Sequence, residues 1–170
     1  MILSDGDNGK FGAKGSDPPN LLQEDEKWMR AALEEARRAV EEGEVPVGAV
    51  AVKDGVLIGK GYNQVESLND ATAHAEMIAI TAASNALRSW RLDGVTLYVT
   101  LEPCPMCAGA ILLSRVGRLV FAAKDPRLGA CGSVSNLFDG TLNHKVQLNS
   151  GVLEEEASNM LKDFFQELRE

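Results

Sequence analysis

Two short segments, far apart in the sequence, constrain the fold most because their side chains complement each other chemically. They are residues 74–76 (HAE) and residues 103–107 (PCPMC). Each segment follows a predicted loop or strand and begins a predicted helix, and proline is favoured in the first turn of a helix. We therefore expect the fold to bring both helix starts together, with their side chains pointing into a shared cleft.

The two segments supply one imidazole and two thiols, from His74, Cys104 and Cys107. These ligands have the softness that zinc prefers, and three protein ligands leave a fourth coordination position open, as in catalytic zinc sites. The partial positive charge at a helix amino terminus also lowers the pKa of the cysteine thiols. The sequence therefore predicts a catalytic site with one Zn²⁺ on these three side chains.

Glu76 follows His74 by two positions, so its carboxylate is predicted beside the same zinc ion. There it can take a proton from a zinc-activated water and pass it to a ring nitrogen, and later to a departing amine. This chemistry converts an amidine-like C–NH2 group into a carbonyl. The pattern H-x-E…P-C-x-x-C is the known signature of zinc nucleobase deaminases, in which the glutamate transfers protons and is not a ligand. Glu76 is therefore the predicted catalytic residue.

Two other interpretations of the cysteine pair remain open. A Cys-x-x-Cys pair alone also occurs in redox proteins and as half of a structural zinc site. A closed structural site needs a fourth ligand, and the remaining candidates, Cys131 and His144, lack ligand-like spacing. A redox pair usually follows the first strand of a thioredoxin-like unit, whereas this pair comes late in the chain. The upstream His-x-Glu favours the catalytic zinc site.

Periodicity predicts one domain over residues 23–170, behind a tail over residues 1–22 that is rich in Gly, Asp, Asn and Pro and is expected to be disordered. An amphipathic helix over 25–42 precedes two apolar runs that an Asp-Gly pair joins as a hairpin. The further predicted elements are a loop (63–72), a helix (74–87), a strand (95–101), a helix (106–114), a strand (118–123), a short strand near 145–148 and a helix (152–168). This order predicts an α/β fold, a single mixed sheet with helices on both faces.

Composition bears on location and partners. The net charge of −8 argues mildly against nonspecific nucleic-acid binding, although about half of the acidic excess lies in the tail. No apolar run is long enough for a membrane helix, and no secretion signal is recognisable. With an odd number of cysteines, three, a reducing, cytoplasmic compartment is expected.

Beyond the zinc motif, the stretch from about residue 44 to residue 165 resembles the bacterial and organellar tRNA-specific adenosine deaminases, the TadA type. The matching segments are EVPVGAV (44–50), GYN (61–63), TAHAEM (72–77), LYVTLEPCPMCAGAI (97–111), SRVGRLVFAAKD (114–125), NHKV (143–146) and KDFF (162–165). The zinc motif is shared with the whole cytidine/deoxycytidylate deaminase superfamily, whereas the combination with the later segments is more specific.

The resemblance implies a three-layer α/β/α sandwich of the cytidine-deaminase type, with a mixed five-stranded central sheet. It implies a homodimer with one zinc ion per subunit. It also implies hydrolytic deamination of adenosine to inosine at wobble position 34 of tRNA, with a tRNA-Arg carrying the anticodon ACG as the expected substrate.

The resemblance also implies substrate-binding roles for four residues. Asn63 matches a position that hydrogen-bonds the flipped base, and Asp125 matches one that contacts the backbone or ribose of the anticodon loop. Val47 and Phe164 match apolar groups that line or close the base pocket. From the residues alone, Asn63 and Asp125 are equally well placed as turn residues, and Phe164, at helical spacing beside Phe165, is more typical of a core residue.

Four basic residues, Arg115, Arg118, Lys124 and Arg127, are expected to form a local cluster that meets phosphates. The alternative function is deamination of a free nucleobase or nucleoside of the guanine or cytosine type, which needs no phosphate contacts. A non-catalytic subunit that binds zinc and RNA is disfavoured because Glu76 is present. The basic stretch and the carboxy-terminal segments favour the tRNA substrate.

Overall fold

The computed structural model describes residues 20–170. The tail predicted over residues 1–22 lies outside this range except for its last three residues, and its predicted disorder stays a prediction. The first helix, α1, is Leu21–Glu41 and begins four residues before its predicted start. Leu21 and Leu22 are exposed, so helix propensity rather than packing accounts for this extra turn.

Strands β1 (Gly48–Lys53) and β2 (Val56–Tyr62) form the predicted antiparallel hairpin. Asp54 and Gly55 connect them with φ values of 49° and 73°. A two-residue type I′ turn requires positive φ at both positions, which explains why Asp-Gly is found here. The hairpin prediction is confirmed.

Three more strands complete a five-stranded sheet: β3 (Val95–Leu101), β4 (Arg118–Ala123) and β5 (Gln147–Ser150). The strand order is β2-β1-β3-β4-β5. The last three strands run parallel, whereas β1 is antiparallel to both of its neighbours. The predicted mixed sheet is confirmed. β5 lies two residues beyond its predicted position, because its largely exposed residues give little apolar pattern.

Besides α1, the helices are α2 (Val65–Leu68), α3 (Ala75–Leu87), α4 (Pro105–Leu113) and α5 (Glu154–Glu167). The four longer helices form two layers, one on each face of the sheet. α1 and α5 pack on one face, against buried side chains that include Val50 and Val120. α3 and α4 pack on the other face, against Leu97 and Leu119. This is the three-layer α/β/α architecture that the resemblance implied. In the part of the chain that the structure describes, no helix combines the length and apolarity needed to cross a membrane.

One edge of the sheet collects the ends of several elements. The parallel strands β3 and β4 both finish there, and β1 starts there because it is antiparallel to β3. Gly48 at the start of β1 pairs with Tyr62 at the end of β2, so β2 also finishes at this edge. Close packing of α3 on β2 sets the start of that helix: a Cβ atom on Gly61 would lie 2.7 Å from the carbonyl oxygen of Ala75. Ligand sites of α/β proteins form at such edges.

The segment predicted as a loop over residues 63–72 contains the short helix α2. The buried carboxylate of Glu44 accepts hydrogen bonds from the backbone N–H groups of Glu66 (3.2 Å) and Ser67 (2.7 Å). These bonds satisfy N–H groups that have no partner within the helix. The acceptor lies more than twenty positions earlier in the chain, so the local sequence carries no signal for this helix.

A buried ion pair fixes α1 on the sheet. Asp25 receives two hydrogen bonds of 2.7 Å from the guanidinium of Arg118 at the start of β4, and one of 3.0 Å from the hydroxyl of Tyr98 on β3. The side chains of Asp25 and Arg118 are only 6% and 12% exposed. The bond to Asp25 raises the pKa of Arg118 further above its ordinary value, so the guanidinium stays charged.

We expect Asp25→Ala to lower the free energy of unfolding by about 3 kcal/mol, because it leaves a buried guanidinium without its partner. Urea denaturation measures this loss. Glu34→Ala is the matched control on the same helix: Glu34 pairs with Arg37 on an exposed face, and such pairs contribute about 0.5 kcal/mol. Equal losses in the two variants would show that the ion pair does not fix α1.

Candidate active site

The three predicted zinc ligands lie together at the edge of the sheet described above. His74 is the N-cap residue of α3, Cys104 is that of α4, and Cys107 lies in the first turn of α4. The Nδ1 atom of His74 is 3.5 Å from the sulfur of Cys104 and 3.5 Å from the sulfur of Cys107. All three ligand atoms lie within 4.8 Å of one another. The structure thus brings both helix starts together as expected.

These distances fit a tetrahedral zinc ion. Zinc binds imidazole nitrogen at about 2.0 Å and thiolate sulfur at about 2.3 Å, so a nitrogen and a sulfur in one tetrahedron lie about 3.5 Å apart. One nitrogen and two sulfurs also form a donor set that suits zinc better than hard cations such as Mg²⁺. The three side chains can therefore hold zinc and would leave one position for water or substrate.

The protonation of the two thiols also suits a cation site. Hydrogen bonds with Cys107 and His74 lower the pKa of Cys104 to about 4, although burial acts in the opposite direction. The bond with Cys104, together with burial, raises the pKa of Cys107. These opposite shifts favour the thiolate at Cys104 and the neutral thiol at Cys107 when no metal is bound. Metal binding at this site is expected to release a proton.

Glu76 lies in the first turn of α3 and lines the same cleft as His74 and Cys104. Its side chain is buried, with 4% exposure. Burial raises the pKa of Glu76 to about 7. A carboxyl group that titrates near neutral pH can both accept and release protons, which is what a general acid–base requires.

The cleft itself has a volume of about 200 Å³. Val47, Asn63 and Asp125, three of the four predicted substrate-binding residues, line it together with Leu101. Asn63 directly follows β2, and its backbone N–H donates to the carbonyl oxygen of Val47 at 3.0 Å. The cleft thus combines apolar side chains with several polar and charged ones, and convergent polar groups beside apolar surface are typical of sites for small ligands such as a nucleobase.

Phe164, the fourth predicted substrate-binding residue, does not line the cleft. It lies on α5, is mostly buried, and packs edge-to-face against Phe165 with ring centroids 5.4 Å apart. The guanidinium of Arg127, which does line the cleft, lies 5.6 Å from the centre of the Phe165 ring. Phe165 and Arg127 thus connect Phe164 to the cleft, and the role of Phe164 at the base pocket stays a prediction.

Asp125 combines the two roles that the sequence left open. Its Oδ1 atom accepts hydrogen bonds from the backbone N–H groups of Arg127 (2.9 Å) and Leu128 (3.3 Å), which is the geometry of a turn residue. The same side chain lines the cleft. A turn role is therefore present, and it holds the carboxylate at the cleft wall.

Sequence reasoning missed Glu102, which follows β3 and precedes the cysteine motif. Its carboxylate is buried and accepts hydrogen bonds from the backbone N–H groups of Asp125, Cys131 and Ser133 and from the hydroxyl of Ser133. Burial alone would raise the pKa of Glu102, but these bonds hold it below its ordinary value. The one available signal was a charged residue at the end of a strand that otherwise reads as buried.

The prediction of one basic cluster is wrong. Arg118 and Lys124 lie at opposite ends of β4, and six strand residues span roughly 20 Å. Arg118 forms an ion pair with Asp25. Arg115 lies toward the same end of β4 as Arg118 and lines a different groove, away from the cleft. Of the four residues, Arg127 lines the cleft and Lys124 follows the end of β4 nearest to it. Residues that are close in the sequence are separated here because a strand runs between them.

The interpretation as a closed structural zinc site is not supported among the described residues. His144 already has a partner, because its Nε2 atom donates a hydrogen bond of 2.7 Å to the carbonyl oxygen of Val116, which precedes β4. Cys131 is not within the group formed by His74, Cys104 and Cys107. The described ligand set is therefore three, as the open site requires.

Known proteins resemble this chain in sequence and in structure. A family model described as MafB19-like deaminase matches residues 23–169. The tRNA-specific adenosine deaminase of Bacillus subtilis is 52% identical over 149 residues, which cover 87% of this chain and 92% of that protein.

Two solved structures allow a comparison of substrate classes. One comes from a study of A-to-I editing by tRNA:A34 deaminases at the wobble position of transfer RNA. It is 46% identical in sequence with a TM-score of 0.75, and the match covers 79% of this chain and 99% of that chain. The other, a guanine deaminase from Nitrosomonas europaea, is 26% identical with a TM-score of 0.73, over 86% of this chain and 93% of that chain. The fold is common to both, whereas the sequence is more similar to the first.

Proposed function

The chain belongs to the tRNA-specific adenosine deaminases, and we propose that it converts adenosine to inosine by hydrolysis at wobble position 34 of tRNA. The observation that carries this proposal is the meeting of His74, Cys104 and Cys107 with the buried carboxyl of Glu76 in one cleft. A metal-ligand trio beside a proton-transferring carboxyl is the arrangement that nucleobase deamination needs.

The chemistry divides between the metal site and Glu76. Hydrolysis replaces the 6-amino group of adenine by the oxygen of a water molecule and releases ammonia. A zinc ion held by His74, Cys104 and Cys107 would, when bound, supply the Lewis acid that makes water reactive near neutral pH. Glu76 takes a proton from the attacking water, delivers it to the ring nitrogen next to the reacting carbon, and assists the departure of the amine.

The walls of the cleft are proposed to hold the flipped base. The amide of Asn63 can hydrogen-bond the base, and Val47 can pack against its face, since both line the cleft. Phe164 is proposed to help close the pocket, which is supported by its contact with Phe165 and, through that ring, with Arg127. Bases of an anticodon loop leave their stack at low cost, which suits a site that needs an extruded nucleotide.

Asp125 and Arg127 are proposed to contact the anticodon-loop backbone. Both line the cleft, and Arg127 is exposed. A guanidinium there can pair with phosphate oxygens. This interpretation explains how an acidic chain can bind RNA: the basic groups that matter are those beside the cleft and not the total charge.

Further features belong to the proposal. A homodimer is supported by an apolar groove at the end of α4, where Leu113 and Leu142 are exposed. Exposed apolar surface of this kind is typical of surfaces that subunit contacts bury.

A cytoplasmic location is supported by the three cysteines, all of which are free. A tRNA-Arg with anticodon ACG is the proposed substrate because it presents adenosine at position 34.

A substrate panel tests the proposed function against its alternative. The chain, loaded with zinc, is incubated with an ACG anticodon stem-loop, with free guanine and cytosine, and with adenosine, and ammonia and inosine are measured. We expect inosine in the stem-loop and at least about a hundredfold lower kcat/KM on every free base or nucleoside, because these lack the phosphate contacts. Ammonia from guanine with no inosine in the RNA would establish the free-base alternative instead.

A further inference from the structure

We propose that Glu102 is a positioning residue for RNA binding, whose buried carboxylate fixes the segment 124–133 that carries Asp125 and Arg127 to the cleft. The proposal rests on the proposed function, because it concerns binding of the RNA substrate. Glu102 also lines the cleft, but the hydrogen bonds that its carboxylate accepts all come from this segment, so its effect acts through the residues that it holds.

One carboxylate binds both ends of this segment. Oε2 of Glu102 accepts the backbone N–H of Asp125 at 2.9 Å, near the start of the segment, and also the hydroxyl of Ser133. Oε1 accepts the backbone N–H groups of Cys131 (3.0 Å) and Ser133 (3.1 Å), near its end. The residues between these anchors include the exposed Arg127 and Leu128, which line the cleft.

The segment has no regular secondary structure, and its internal hydrogen bonds are those of turns, such as the one from the backbone N–H of Gly129 to the carbonyl oxygen of Asp125 at 3.0 Å. Residues 124–133 contain no helix or strand, only turns and one isolated bridge, from Cys131 to Asn136. A second tie leads to the same place, since the backbone N–H of Ala130 donates to the carbonyl oxygen of Pro103 at 2.9 Å. Glu102 and Pro103 directly precede Cys104, so both contacts fix the position of the segment relative to the predicted metal ligands.

The packing around the carboxylate is tight enough to define its position. A Cβ atom built on Gly129 would lie 2.4 Å from the carboxyl carbon and from Oε2 of Glu102. The segment therefore approaches the carboxylate as closely as only a glycine allows. A change at either residue is expected to move the segment as a unit.

Glu102→Gln removes one anchor selectively. With the amide oxygen at the Oε1 position, the bonds from Cys131 and Ser133 remain, and the amide N–H₂ can donate to the Ser133 hydroxyl, which rotates to accept. The backbone N–H of Asp125 then faces a donor and loses its acceptor. The opposite orientation of the amide would leave two N–H groups unpaired and is disfavoured. The start of the segment is thus released while its end stays bound.

The experiment is steady-state deamination of the ACG stem-loop, with zinc content measured on the same samples. We expect Glu102→Gln to raise KM about tenfold, because fewer molecules present the binding-competent segment. kcat is expected to stay within about twofold and zinc content unchanged, since Glu76 and the metal ligands are not affected. Glu34→Gln, which removes the same charge from an exposed position on α1, is expected to leave both constants unchanged.

A double-variant cycle separates positioning from general stability. If Glu102 acts through the segment that carries Arg127, Glu102→Gln should raise KM less than about threefold in an Arg127→Ala background. The same tenfold increase in both backgrounds would overturn the proposal. So would an unchanged KM, or a fall in kcat together with loss of zinc.

Gly129→Ala tests the same contact should Glu102→Gln fail to fold. This variant keeps the carboxylate and the metal ligands but forces the segment away from Glu102, and we expect a similar rise in KM. An unchanged KM would contradict the proposal.

The activity of the wild-type chain distinguishes failure of the proposed function from failure of the role of Glu102. No inosine from wild type overturns the proposed function, whereas normal wild-type activity with a normal KM in both variants overturns only the role of Glu102.

Discussion

Glu76→Ala is expected to abolish deamination while the chain keeps its fold and its metal. The carboxyl of Glu76 lies in the cleft beside His74 and Cys104, whereas the other two carboxylates that line the cleft, those of Glu102 and Asp125, hold the backbone of the segment 124–133. General acid–base catalysis contributes about 10²–10⁴ in rate, and here one group would serve several proton transfers. We expect kcat to fall by about 10³ or more, as measured by inosine formation.

The controls for this variant separate chemistry from folding. Glu76→Gln keeps the buried shape of the side chain and should lose activity to a similar extent, because the amide cannot carry the proton. Glu155→Ala, on the exposed face of α5, should remain fully active. Zinc bound per chain should match the wild type in all three variants. Activity within tenfold of wild type in Glu76→Ala would remove the proposed proton transfer.

Cys104→Ser is expected to have the opposite signature, with loss of the metal first and of activity as a result. The sulfur of Cys104 lies 3.5 Å from the Nδ1 atom of His74, and hydrogen bonds with Cys107 and His74 lower the pKa of its thiol, which favours the thiolate that binds a cation. A serine hydroxyl is a poor zinc ligand, and metal affinity also contributes to folding stability. We expect zinc affinity to fall by at least about a hundredfold, since changes outside the ligand set already cost 10–100-fold.

Cys131→Ser is the matched control for Cys104→Ser. The substitution is the same, but Cys131 lies outside the ligand group, and burial raises the pKa of its thiol to about 12. Competition with a chelator, followed by metal analysis, should show wild-type zinc retention in Cys131→Ser and loss in Cys104→Ser. Equal retention in the two variants would mean that Cys104 is not a ligand.

Local sequence signals were sufficient for the elements that present the site. The Asp54-Gly55 pair, the apolar strand over residues 95–101 and the proline at the start of α4 each have a short-range physical cause. The placement of His74 and Cys104 at helix starts followed from those elements, and the structure brings the two together as predicted. The ligand types, one imidazole and two thiols, were then sufficient to predict a zinc site.

The features that the sequence did not predict depend on partners far along the chain. Glu102 binds N–H groups 23 to 31 positions later, and Arg118 binds Asp25 across 93 positions. Buried charges of this kind have no periodic signature, because a single long-range contact decides their position. For the same reason Arg118 was assigned to a phosphate cluster, although its guanidinium stabilises the packing of α1.

The central claim is tested most directly by locating inosine in a full-length tRNA-Arg transcript with anticodon ACG after incubation with the zinc-loaded chain. Inosine is read as guanosine on reverse transcription, so sequencing reports every adenosine in one experiment. We predict complete conversion at position 34 and no conversion at other adenosines, with Glu76→Ala giving none. An unmodified position 34 in the presence of folded, zinc-loaded chain, or conversion spread over other adenosines, would contradict the account.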